Sequence, residues 1–142
     1  MKSKFNPAAF RRLDANIYKF VNDSLDQAAA KTVEGVDKNF RNKSFFGGRR
    51  WKPNTRNTPT LVKVGTLRDS VRVLNKTPNS RLVGTMIKYA SLHNYGGIYT
   101  ASKANGSRYT VNMPQRQFIG KSKVLDAQIQ YILKRNFRKL IK

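Results

Sequence analysis

The chain contains no cysteine. That removes disulfide frameworks, thiol nucleophiles and Cys-ligated zinc together, and it suits folding in a reducing cytoplasm. Acidic residues are nearly as scarce, with seven Asp and Glu against 29 Lys and Arg. Beyond residue 40 only Asp69 and Asp126 remain, and each stands where the first turn of a helix favours a carboxylate, so paired-carboxylate hydrolysis lacks its pair. The single histidine, His93, has no second His and no Cys to complete a zinc ligand set. No serine lies in a G-x-S-x-G context, and no phosphate loop or dinucleotide fingerprint occurs. Long apolar runs are absent too. Nothing approaches the roughly 20 residues that span a bilayer, and the opening MKSKFNPAAFRRLDAN has no uninterrupted apolar core of the kind a secretory signal needs. The expectation is a protein with no catalytic residues, cofactor, metal or membrane partner. His93 reads as a packing or hydrogen-bonding residue; a small hydrolase or RNase-like toxin built on it would need partners that are not in evidence.

What is present in excess is positive charge, a formal +22 over 142 residues. The length suits one domain, residues 1–142. The charge is unevenly spread. Residues 1–40 hold seven basic residues and five acidic ones (Asp14, Asp23, Asp26, Glu34 and Asp37), whereas residues 41–142 hold 22 basic residues against two acidic, an excess of 20. Such a field attracts nucleic acid or acidic protein surfaces.

Asn6-Pro7 reads as a helix start, with Asn as N-cap and Pro at the first helical position. Phe10, Leu13, Ile17, Phe20, Val21, Leu25, Ala28, Ala29, Val33, Val36 and Phe40 then recur at helical spacing, which predicts a long helix over 7–41 with a bend or fraying near Gly35. Residues 42–60, NKSFFGGRRWKPNTRNTPT, have no period and read as a long exposed loop. Its Phe45, Phe46 and Trp51 interleave with Arg49, Arg50 and Lys52, a mixture suited to stacking on bases or to docking into a neighbouring subunit. Residues 61–113 read as antiparallel hairpins with short helices. Thr66 is the expected N-cap of a helical turn ending at Asp69. A first hairpin joins 71–74 to 82–87, and a second joins Ile98–Ala101 to Tyr109–Val111 across the turn signal Asn105-Gly106. A last amphipathic helix over 122–141 follows, with Ser122 as N-cap, Asp126 in its first turn, and Lys139 and Lys142 towards its end. The predicted fold class is α+β: a long N-terminal helix, a small antiparallel sheet of hairpins, and a C-terminal amphipathic helix packed on that sheet.

Four fragments occur in a recognisable order. Gly48-Arg49-Arg50-Trp51-Lys52-Pro53-Asn54-Thr55 looks like G-x-x-W-x-P-x-x-T, and Gly65-Thr66-Leu67-Arg68-Asp69-Ser70-Val71 resembles G-x-L-x-x-S-I. Val83-Gly84-Thr85, followed by Tyr89-Ala90, His93 and Gly96-Gly97, resembles vGt…YA-x-x-H-x-x-G-G. Arg116-Gln117-Phe118-Ile119-Gly120 resembles R-P-F-L-G, with Gln117 in place of the usual proline. Together they resemble the virion morphogenesis family of tailed bacteriophages, the tail-completion and neck proteins of the Mu-like kind.

The resemblance implies a structural protein made in the host cytoplasm and carried in the virion at the neck. It would assemble as a homo-oligomeric ring at the head–tail junction and bind connector or adaptor proteins and tail-tube or tail-terminator proteins, with genomic DNA in transient contact. No catalytic residue is implied. Within that expectation, Phe45, Phe46, Arg49, Arg50, Trp51, Lys52, Ile98, Tyr99, Lys103, Arg108 and Tyr109 are the candidate subunit or partner contacts. Gly84, Tyr89, Ala90, His93, Gly96, Gly97, Arg116, Phe118 and Gly120 are the candidate structural corner. The alternative is a nonspecific nucleic-acid-binding protein whose affinity falls steeply with salt.

Overall fold

The computed structural model describes residues 7–53 and 65–141. The expected N-cap Asn6, the loop beyond residue 53, the residues at 61–64 and Lys142 lie outside them. Helix α1 runs from Pro7 to Asn42 without a break. Gly35 does not end it. A Cβ at that position would come within 2.9 Å of the Phe46 ring, so the missing side chain makes room for the segment that follows the helix. Three ion pairs on the exposed side, Lys31–Glu34, Lys38–Glu34 and Arg41–Asp37, follow the i,i+3 and i,i+4 spacing that supports a helix. Lys43, at φ 52°, turns the chain out of the helix.

The segment after α1 is less open than its composition predicts. Ser44 bridges Arg50, the Trp51 N–H donates to Lys43 O at 2.7 Å, and Trp51 is buried. The tryptophan expected on an exposed loop therefore belongs to the core, because its large apolar ring gains more from burial than a nine-residue turn loses by closing. Helix α2 (Thr66–Asp69) is preceded by Gly65 as its N-cap, at φ 70°, with no side-chain capping bond. Thr66 is thus the first helical residue and not the cap: the left-handed turn needed here suits glycine.

Two separate two-stranded sheets follow. Strands β1 (Arg72–Thr77) and β2 (Ser80–Gly84) pair antiparallel about Pro78-Asn79, with a register shift between Val73 and Asn75. β2 ends at Gly84, short of the predicted Ile87. The Thr85 hydroxyl instead accepts from the Ile87 N–H and bonds the Ser70 hydroxyl, which starts a turn. Helix α3 (Ala90–Tyr95) leads to β3 (Gly97–Ser102), which pairs antiparallel with β4 (Arg108–Met113), the predicted second hairpin, with Tyr99 opposite Val111 and Ala101 opposite Tyr109.

Helix α4 (Lys123–Leu140) opens on Ser122, whose hydroxyl accepts from the Leu125 N–H as predicted. Its packing partner differs from expectation. α4 lies antiparallel along α1 instead of on a sheet face: Phe20 meets Phe137 edge-on at 6.1 Å between centroids, and the buried Asn136 amide donates to Ser24 Oγ and Gln27 Oε1. Leu125 and Ile132 of its apolar stripe are buried, while Val124, Leu133, Phe137 and Ile141 stay exposed. The result is an α+β fold with two helices side by side and two small hairpins. The core gathers at the C-terminal third of α1, where Val36, Phe40, Trp51, Leu67, Val71, Ala90 and Phe118 pack together with Val83, Ile87 and Ile119 against them.

Candidate functional site

The two groups of residues singled out in the sequence occupy two different kinds of place. The corner is a knot of backbone and buried polar groups. Gly96 has φ 73° and ψ 178°, a conformation essentially reserved for glycine. A Cβ there would sit 2.9 Å from Gln115 N and 3.0 Å from Met113 O, so the outgoing end of β4 passes against bare backbone. Gly97, at φ 149°, faces Leu92, and a Cβ on Gly84 would press on Leu74 at 3.1 Å. The Gly96-Gly97 pair is therefore the root from which the second hairpin leaves the body.

A strap over residues 114–120 closes the knot. The Arg116 N–H donates to His93 O at 2.8 Å. Two buried asparagines hold the strap at Phe118. Asn94 Oδ1 accepts from the N–H groups of Phe118 and Ile119 at 3.0 and 3.1 Å, and Asn39 Nδ2 donates to Phe118 O at 3.0 Å. Trp51 Nε1 donates to Gln117 O at 3.0 Å, and the buried Arg116 guanidinium donates to Lys52 O and meets Met113 Sδ. Phe118 stacks on Phe40 at 5.0 Å, and Phe40 meets Trp51 edge-on at 5.6 Å. Every strap bond satisfies a group that would otherwise be costly to bury. Gly120 completes the exit at φ 150°, where a Cβ would collide with the Gln117 amide.

His93 sits inside this knot. Burial, and then the nearby Arg116 cation, push its pKa down, so the imidazole is neutral near neutral pH. Its ring meets Tyr89 edge-on at 5.6 Å, and its buried Nδ1 has no hydrogen-bond partner. Among the described residues no carboxylate ion-pairs with it, and no three His, Asp or Glu side chains gather as a metal site would require. The contacts of His93 are those of a packed residue.

The candidate contact residues divide. Trp51 is core. Phe45 and Phe46 are half-buried and stack edge-on at 5.0 Å, while Arg49, Arg50 and Lys52 are exposed around them. The β3–β4 hairpin stands away from the body as an arm, with Ile98 71% exposed. Cross-strand pairing puts Tyr99, Val111, Ala101 and Tyr109 on one face, and Ile98, Asn112, Thr100, Thr110, Ser102 and Arg108 on the other. Lys103 lies over the Tyr109 ring at 5.9 Å to its centroid, which places it at the tip of the first face.

Three positions escaped sequence reasoning: Asn39, Asn94 and Arg81. Asn39 adjoins Phe40 on the apolar stripe of α1, and a polar residue on such a stripe was the available signal. Arg81 gave none. Its side chain, 6% exposed, donates to Asp26 and Asn22 on α1 and to the carbonyls of Thr77 and Ser80, so it fastens the first hairpin to the helix.

The model of the phage virion morphogenesis family matches residues 9–138, nearly the whole chain, corner and arm included. No curated protein and no solved structure matches. No helix among the described residues is long and apolar enough to cross a membrane. The chain belongs to the phage virion morphogenesis family, whose members serve in building the virion's tail.

Proposed function

We propose that the protein is a neck or tail-completion subunit that assembles as a ring at the head–tail junction and joins or terminates the tail there. The observation that carries this reading is the arm. A hairpin with Tyr99 and Tyr109 partly exposed on the face they share with the half-buried Ala101 and Val111, and with Ile98 exposed on the other, is suited to be covered by another chain. Heterologous contacts of that kind close into rings when the rotation permits. Arg49, Arg50 and Lys52, exposed beside Phe45 and Phe46, form the second contact region of the proposal. Through these regions the ring meets its neighbours, the connector or adaptor on one side and tail-tube or tail-terminator proteins on the other. The excess of 20 basic residues after residue 40 suits a surface that faces acidic partners or passing DNA.

Negative-stain imaging of the purified protein, together with virions assembled without it, tests the proposal. Rings in the first and unjoined heads and tails in the second are the expected outcomes. Infectious, full-length particles formed without the protein would overturn it. Monomers that bind DNA with an affinity falling steeply with salt would favour the alternative of a free nucleic-acid-binding protein.

A further inference from the structure

The α1–α4 pair carries an apolar patch that neither helix covers. The face of α1 that meets α4 repeats at alternating steps of four and three residues: Leu13, Ile17, Phe20, Ser24 and Gln27. Phe20 touches Phe137, and Ser24 and Gln27 accept from the Asn136 amide. α4 ends beside Asn16, Lys19 and Phe20, so Leu13 and Ile17 continue that face past the end of its partner. On α4, Leu133, Phe137 and Ile141 follow one another at four-residue steps, to one side of the buried Leu125, Ile132 and Asn136. The two rows converge at the Phe20–Phe137 contact. Leu13, Ile17, Leu133, Phe137 and Ile141 are each between 41% and 67% exposed. At 1.5 Å per residue the patch runs about 10 Å from Leu13 to Phe20 and about 6 Å more from Phe137 to Leu133, about three turns of a helix laid along it. Its rim is basic. Residues 7–20 and 130–141 carry seven basic side chains, all exposed, against one acidic residue, Asp14. Lys134 and Arg138 make a cationic row beside the Leu133–Phe137–Ile141 row, and neither has an ion-pair partner among the described residues.

We infer that this patch docks an acidic amphipathic helix of another virion protein. Apolar side chains of that helix cover the five exposed residues, and its carboxylates meet Lys134 and Arg138. Charge decides among the occupants. A second copy of this chain brings the same basic rim and sets cation against cation. DNA neutralises the cations but leaves five large apolar side chains in water. A helix with aliphatic residues on one face and Asp or Glu beside them answers both features, and a family that builds the virion's tail works among protein neighbours. The patch shares no residue with the arm or with residues 45–52, so this contact stands or falls apart from the ring.

Fluorescence anisotropy tests it with a labelled peptide of about 18 residues, leucines at helical spacing on one face and glutamates flanking them. Low-salt binding to the full chain should weaken at least about tenfold in Lys134→Glu/Arg138→Glu, where carboxylates meet like charge. It should also weaken at least about tenfold in Leu133→Ser/Ile141→Ser, where apolar cover is lost. The substituted side chains are exposed, so both variants should keep the wild-type circular dichroism spectrum and unfolding midpoint. Lys121→Glu/Lys123→Glu makes the same change in net charge at the other end of α4, and it should stay within about threefold of the wild type. A scrambled peptide of the same composition should bind at least about tenfold more weakly. Equal binding of the scrambled peptide, or losses that follow net charge wherever it is changed, would mean that the basic field takes up any polyanion and would overturn the inference. Capture on phosphatidylcholine–phosphatidylserine vesicles that the Ser substitutions abolish, with peptide affinity unmoved by them, would assign the patch to a membrane surface and overturn it as well.

Discussion

The two hairpins of this protein are built from strands of almost the same length and lead opposite lives. The first, β1–β2, is fastened to α1 through Arg81, and its Val83 packs on the core. Among the described residues the ties of the second, β3–β4, lie at its root, where Gly96-Gly97 and the Arg116–Ile119 strap bind it to α3 and the core, while most of its strand residues are exposed. Hydrogen bonding within a hairpin is thus no guide to its role. What separates the two is where side chains find cover: Arg81 and Val83 of the first hairpin are held against α1 and the core, whereas the second covers only Ala101, Val111 and Met113 in part. An isolated two-stranded hairpin is marginal in water, so the rigid root is what keeps the arm aimed.

The comparison can be broken most forcefully at the root. Phe118 is fully buried between the strap and Phe40, and Phe118→Ala should destabilise the protein by about 3–5 kcal/mol, the usual cost of emptying an aromatic core site. Denaturant unfolding would measure it, and a loss below about 1 kcal/mol would mean that the strap does not anchor the arm.

A smaller effect is expected where the first hairpin is tied. Arg81→Ala should cost about 1–3 kcal/mol at neutral pH, through hydrogen bonds lost to Asn22 and to the carbonyls of Thr77 and Ser80. The partner Asp26 adds a pH signature. Hydrogen bonds from Arg81 and then Lys76 hold its pKa below the ordinary value, so the folded state binds the proton less readily than the unfolded chain. That contribution is fully present above the unfolded carboxylate pKa of about 4 and is lost as pH falls through the lower folded value. The stability gap between wild type and Arg81→Ala should therefore narrow in acid. A gap unchanged from pH 7 to pH 2 would show that Asp26 takes no part in the tie.

The smallest effect sharpens the contrast from the other side. Tyr109→Ser on the arm should change the unfolding free energy of the isolated subunit by no more than about 0.5 kcal/mol, as exposed positions usually do. The same change should weaken association between copies. A large loss of monomer stability would mean that the arm is part of the body after all.

Periodicity made both long helices legible, and turn chemistry made both hairpins legible. Ser122 is legible as a cap because the capping hydroxyl and the N–H it meets lie three residues apart. Trp51 was not legible, since an aromatic among Gly, Arg and Pro carries no period, and its burial depends on Phe40 and Gln117 from distant parts of the chain. Thr66 looks like a cap in the sequence because composition alone does not say that Gly65 adopts a left-handed turn. The packing of α4 on α1 was hidden for a related reason. An apolar stripe states that a helix needs cover and does not name the surface that supplies it.

The sequence by itself determined the elements, their order, the positive charge and the lack of paired chemical groups, because these follow from local spacing and composition. Only the tertiary structure decided which aromatic is core, which asparagines hold the strap, and that one hairpin is fastened to the body while the other stands free. Those outcomes depend on contacts between residues tens of positions apart, such as Asn39 with Phe118 and Arg81 with Asp26. Long-range burial decides such contacts, and no local pattern encodes it.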